Sequence, residues 1–216
     1  MAPDQLLLFV VAGLLLNLTP GPDVLYIVTH ALKSGARAGI VAALGITAGC
    51  FVHIFAAAVG VSALLAASAT AFTLLKWIGA AYLVWVGLKM LRASAPPAMD
   101  VAASDARTGN ALDLKTIFAR GFATNALNPK VALFFLAFLP QFIGPAIEHK
   151  SLAFLLLGLL FNFNGLWVNI GWAGAAAWLS RRVGVVRTGM PWLERAAGAM
   201  FLGFGLKLAL SDNPSR

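Results

Sequence analysis

Along the chain, apolar runs of roughly 20 residues alternate with short polar interruptions. The runs fall near residues 5–28, 39–65, 70–91, 117–143, 151–179 and 192–211. Each is long enough to cross a hydrocarbon core of about 30 Å as an α-helix. No stretch shows the alternation of a membrane β-strand. The pattern predicts an all-α polytopic membrane protein with six transmembrane helices. Its one long interruption is rich in Pro, Ala, Ser and Asp. That segment divides a single transmembrane domain, 1–216, into repeat one (5–92), a cytoplasmic linker (93–115) and repeat two (116–211), with three spans in each repeat. The linker reads as a flexible hinge rather than a domain.

Composition agrees with this reading. The chain is 60% hydrophobic and 11% charged, with a mean hydropathy of +0.85; soluble domains carry roughly 25% charged residues. The net charge of +8 would suit a nucleic-acid binder, but its distribution points to lipid headgroups instead. Of 16 basic residues, 11 follow spans one, three and five, among them Lys33, Arg37, Arg92, Lys115 and Arg181. The positive-inside rule then puts both termini outside the cytoplasm. A single cysteine, Cys50, excludes an intrachain disulfide. The N-terminal run lacks a basic leader and reads as a first span rather than a cleaved signal peptide. Of the six tryptophans, most read as lipid-facing residues, and His30 and His149 read as surface residues at span ends.

Two of the apolar runs are broken. Residues 17–22 read N-L-T-P-G-P and residues 125–130 read N-A-L-N-P-K. Each break has an asparagine (Asn17, Asn125) and a proline three or four positions on (Pro20, Pro129). A charged residue follows: Asp23 after Gly21 and Pro22 in one, Lys130 beside Asn128 and Pro129 in the other. An interior proline deletes a backbone donor and crowds the preceding turn, costing about 3 kcal/mol. In lipid the freed carbonyls need partners, so such a break belongs against protein or a polar cavity. Paired breaks in the first spans of two halves point to a transporter site near the bilayer midplane. Three spans per half give the halves opposite topology, an inverted repeat.

Asp23 and Lys130 are the clearest ionisable residues within apolar sequence, and burying either alone is costly. Brought together, they form either a structural ion pair or a site for a zwitterion. In the second case Asp23 meets an ammonium and Lys130 a carboxylate, helped by backbone N–H groups at the half-helix starts. Asn162 and Asn169, seven apart, share a helix face and either line a polar path or bond between helices. In "GITAG" (45–49), Gly45 and Gly49 allow a close helix contact. His53, just beyond them, is either a packed imidazole or a proton-coupling group.

Taken together, "TPGPDVLYIVTHALKSGARAGIVAALGITAGCFVHI" (19–54), "LLKWIGAAYLVWVGLKMLR" (74–92) and "FARGFATNALNPKVALFFLAFLPQFI" (118–143) resemble the LysE/RhtB family of bacterial amino-acid exporters. The homoserine/threonine-type branch is the nearest in character. The resemblance implies six spans in the bacterial inner membrane, export of small amino acids and coupling to the proton gradient. It further implies that Pro20, Gly21, Pro22, Asp23, Asn128, Pro129 and Lys130 mark the functional core. Expected partners are the amino acid, protons and lipid, with a homodimer as the candidate assembly; neither nucleic acid nor cofactor is expected. The alternative is a cation or metal-ion exporter of the same architecture, although Asp23 and His53 are the only intramembrane ligand candidates. An enzyme is not expected, because no zinc-protease, serine-hydrolase or nucleotide-binding signature occurs.

Overall fold

The computed structural model describes residues 3–61, 113–144 and 147–179 continuously, with isolated helical positions between 63 and 88 and between 199 and 206. Most of predicted spans three and six, and the linker up to residue 112, lie outside the described residues. Every regular element among the described residues is helical. They are α1 (Pro3–Leu18), α2 (Pro22–Ala56), α3 (Leu114–Ala126), α4 (Pro129–Leu133) and α5 (Lys150–Leu179). A π-helical turn, Ala57–Val61, continues α2. A π-helical stretch, Phe134–Phe138, and a 3-10 turn, Leu139–Phe142, continue α4.

Both sequence breaks are real breaks. α1 ends at Leu18, and α2 starts with Pro22 in its first turn, where the missing N–H costs nothing. The α3–α4 pair bends by 43° at its break. α2 with its π turn forms a run of 39 residues, Pro22–Gly60. As one straight rod it would be about 58 Å long, nearly twice the hydrocarbon thickness. It does not run straight. Gly35 has φ 82° and ψ 177°, a conformation that strongly favours glycine. Beyond it the chain returns, so that a Cβ on Gly39 would lie 2.6 Å from that of Ala31. The predicted loop between spans one and two is therefore a one-residue reversal, with Lys33 and Arg37 exposed on either side.

Among the described residues two helical runs are long and apolar enough to cross a membrane, Pro22–Gly60, which Gly35 divides into two arms, and Lys150–Leu179, or three with the bent α3–α4 pair taken as one span. Neighbouring residues give their directions. Gly13 meets Phe161 and Gly165 meets Asn17, so α1 and α5 run parallel. Gly39 meets Ala173 and Gly158 meets Ile54, so α5 runs against the second arm of α2. Gly45 meets Phe118 and Gly49 meets Phe122, so that arm runs alongside α3. It follows that α1 and α3, the opening helices of the two halves, point in opposite directions.

Small residues make the α2–α3 contact close. A Cβ on Gly45 would stand 2.3 Å from the Phe118 carbonyl oxygen, and one on Gly49 2.4 Å from that of Phe122. This is the intimate approach expected of a small-xxx-small pair. The Tyr26 hydroxyl donates to the Ile117 carbonyl oxygen (2.8 Å) and fastens the first arm of α2 to α3 as well. At its exposed start α3 is capped by Asp113, which accepts from the Lys115 N–H and the Thr116 hydroxyl. Those bonds, Thr116 first, hold the Asp113 carboxyl below the ordinary aspartate range.

Two cores flank the middle of the molecule. Towards the Gly35 end lie Tyr26, Ile27, Ala38, Ala42, Ala43, Ile46, Ile117 and Ala173, with small side chains prevailing. Towards the other end lies an aromatic core. Phe134 stacks on Phe161 (4.7 Å between centroids), Phe135 meets Phe161 edge-on (5.4 Å), and Phe9 meets Phe142 edge-on (5.2 Å).

Candidate functional site

Between the two cores, the breaks meet. Pro20 has no N–H, so the Leu16 carbonyl oxygen lacks its normal i+4 donor. The Lys130 ammonium supplies one, lying 3.4 Å from that oxygen and 3.3 Å from the Thr19 carbonyl oxygen. A cation at this place also complements the negative end of α1. In the second half, Pro129 frees the Asn125 carbonyl oxygen in the same way. Here His53 answers, its Nε2–H donating at 2.8 Å. A carbonyl can only accept, which fixes the proton on Nε2. Each of these carbonyls also accepts a backbone N–H of its own turn, from Thr19 (3.3 Å) and Asn128 (2.8 Å), so the opposite half supplies a second donor in place of the missing one.

Asp23 sits in the first turn of α2 and is buried. Its Oδ1 accepts from Asn128 Nδ2 at 2.5 Å, and its Oδ2 lies 3.4 Å from Asn125 Nδ2. The other end of the Asn128 amide caps α4, Oδ1 accepting from the Lys130 N–H at 3.0 Å. Asn128 therefore couples the start of α4 to the start of α2. Gly21 lets the ammonium in: a Cβ there would lie 3.0 Å from Lys130 Nζ.

Asp23 and Lys130 come to one cavity without an ion pair to each other among the described residues. The carboxylate is held by amides and the ammonium by carbonyls, so both charges are balanced without being cancelled. The two charges make no direct contact, though Asp23 lies near enough to attract the Lys130 ammonium.

The cavity is small. The volume open to the centre of a water-sized sphere is about 20 Å³, room for one or two waters. Asn17, Asp23, Asn125, Lys130, Asn162 and Asn169 all line it. Asn162 lines the cavity and donates to the Thr47 carbonyl oxygen at 3.2 Å. His53 does not line the cavity. It is buried behind Asn125 and stacked near Phe135 (6.1 Å). His30 is half-buried against Tyr26 rather than on the surface, while His149 is exposed. Among the described residues no three of His, Cys, Asp and Glu cluster as a metal site would need.

Sequence reasoning missed Thr47, Cys50, Phe161 and Gly165, which also line the cavity. A signal existed for two of them. Thr47 is the polar residue inside "GITAG", and Gly165 lies between Asn162 and Asn169 in "NFNGLWVN". A Cβ on Gly165 would press on the Asn17 amide at 3.1–3.3 Å, so that glycine makes space for it. Three buried polar atoms have no hydrogen-bond partner among the described residues: Asn17 Nδ2, Asn125 Oδ1 and Trp172 Nε1.

A sequence model of the LysE type translocator family matches residues 14–212. The chain is 34% identical over 203 residues to an uncharacterized membrane protein of Vibrio cholerae, covering 94% of this chain and 95% of that one. It is 31% identical over 205 residues to a homoserine/homoserine lactone efflux protein of Salmonella typhimurium, covering 93% and 94%. Against a leucine efflux protein of an Enterobacter strain the identity is 29% over 206 residues, 93% of each chain. No solved structure matches it.

Proposed function

The chain belongs to the LysE-type translocator family, and on that premise we propose that it exports small neutral amino acids, homoserine, threonine or others, from the cytoplasm. Membership makes it a membrane transporter rather than an enzyme. The efflux relatives named for homoserine and for leucine support a neutral amino acid as cargo. One observation carries the site: the two breaks deliver Asp23 and Lys130, uncancelled, to one cavity between two cores. A zwitterion offers an ammonium for the first and a carboxylate for the second, in a buried setting where charge-assisted bonds are strong.

The opposite directions of α1 and α3 support an inverted repeat of six spans, the architecture that opens alternately to either side. The chain lies in the bacterial inner membrane with both termini outside. The exposed Lys33, Arg37 and Lys115, all at the Gly35 end, support that orientation. Uphill export draws on the proton gradient, and Asp23 is the coupling group, exchanging the substrate ammonium for a proton. His53 is committed to the Asn125 carbonyl, which supports Asp23 over it.

The test is flux from proteoliposomes preloaded with each of the twenty amino acids or with divalent metals, with and without a pH gradient. Export of a neutral amino acid driven by that gradient is expected. Asp23→Asn is expected to lose concentrative export while keeping exchange of labelled for unlabelled substrate. Metal flux without amino-acid flux would refute the reading. An Asp23→Asn variant that follows the gradient like the parent would remove Asp23 from the coupling role.

A further inference from the structure

Two of the three unpartnered buried polar atoms belong to residues that line the same cavity, and they differ in kind. Asn17 Nδ2 is a donor without an acceptor; Asn125 Oδ1 is an acceptor without a donor. Asn125 is 3% exposed. Its orientation is set by chemistry, because the end facing the Asp23 carboxylate must be the amide N–H. That turns the carbonyl end away from Asp23 with nothing to accept from. Burying an unsatisfied polar atom is expensive, and native interiors rarely tolerate it without a ligand or water.

The placement of the two is reciprocal. Asn17 lies in the last turn of α1, next to the Leu16 and Thr19 carbonyls that hold the Lys130 ammonium. Asn125 lies in the last turn of α3, against Asp23. The free donor therefore stands beside the site's cation, and the free acceptor beside its anion. A group bound at the cation end is anionic and gains from an extra N–H. A group bound at the anion end is cationic and gains from an extra carbonyl.

We infer that Asn17 and Asn125 read the two ends of the zwitterion. Asn17 Nδ2–H donates to the substrate α-carboxylate beside Lys130, and Asn125 Oδ1 accepts from the α-ammonium beside Asp23. This rests on the amino-acid reading and deepens it. The asparagine pair makes the site selective for the free α-carboxylate and free α-ammonium together, whatever the side chain.

The test is competition binding to the purified full-length protein in detergent. The probe is whichever of radiolabelled L-homoserine, L-threonine or L-leucine the parent binds. Competitors are that amino acid, its carboxamide (no carboxylate) and its 2-hydroxy-acid analogue (no ammonium). The parent is expected to prefer the amino acid over both. In Asn17→Asp an acceptor replaces the donor, so the preference over the carboxamide should shrink ~10-fold or more. Preference over the hydroxy acid should stay as in the parent. Asn125→Leu should show the converse. Asn17→Ser and Asn125→Ser, which shorten each side chain, serve where those variants do not fold. Folded variants with the parent's discrimination would mean that a single bridging water satisfies both amides, and would overturn the inference alone. A parent that binds none of the three amino acids would overturn the amino-acid reading and this inference with it.

Discussion

A proline inside a helix fixes the chain and orphans a carbonyl one turn back, and in lipid no water repairs the loss. At Pro20 Lys130, and at Pro129 His53, reach across from the other half to add a donor beside the backbone N–H groups of Thr19 and Asn128, which tighten the last turn of each helix. Asn128 shows how much rests on one amide, since it caps α4 through Oδ1 and holds Asp23 through Nδ2. Asn128→Asp keeps a good helix cap but sets a second carboxylate against Asp23. Membrane abundance should stay within about twofold of the parent, judged by immunoblot, because the cap is worth only ~1 kcal/mol either way. Amino-acid flux should fall at least ~10-fold, since losing a charge-assisted bond and gaining a like charge each cost that much. Flux at the parent's rate would show that the bond from Asn128 to Asp23 is incidental.

At the scale of elements, the contact between α2 and α3 keeps the two halves in register. Gly45 faces a backbone carbonyl rather than a side chain, so an added methyl group has nothing flexible to displace. Gly45→Val should push the helices apart and destabilise the protein by ~1–3 kcal/mol or more. A lowered unfolding temperature in detergent is the readout; an unchanged one would mean that the helices slide past each other freely. Much of this level was legible in the sequence. "GITAG" announced a close contact, and both proline breaks announced helix ends. The reversal at Gly35 was not legible in detail. Lys33–Arg37 read as a loop by polarity, and only a backbone angle reveals that a single glycine turns the chain. Nor was the separation of Asp23 from Lys130. Opposite charges in two matching breaks suggest a pair, and the sequence carries no sign that carbonyls and amides take those roles first.

For the whole molecule, the described helices place the site between unlike walls. Aromatic rings fill the end where α5 begins, and alanines and isoleucines the end where Gly35 turns. The exposed basic residues around Gly35 predict that this turn faces the cytoplasm. A cysteine at exposed Ala36, in a Cys50→Ala background, should resist an impermeant maleimide in intact cells and react after lysis. Labelling in intact cells would invert the orientation.

If an amino acid is bound and carried where the two breaks meet, loss of the Lys130 ammonium should stop transport. That is tested most directly by the flux of a labelled neutral amino acid through proteoliposomes holding the parent or Lys130→Ala at matched protein content. Lys130→Ala removes the ammonium that faces both the α1 carbonyls and the cavity. The account predicts saturable flux for the parent and, for Lys130→Ala, flux at the level of protein-free vesicles. Transport by a correctly folded Lys130→Ala protein at the parent's rate would contradict it.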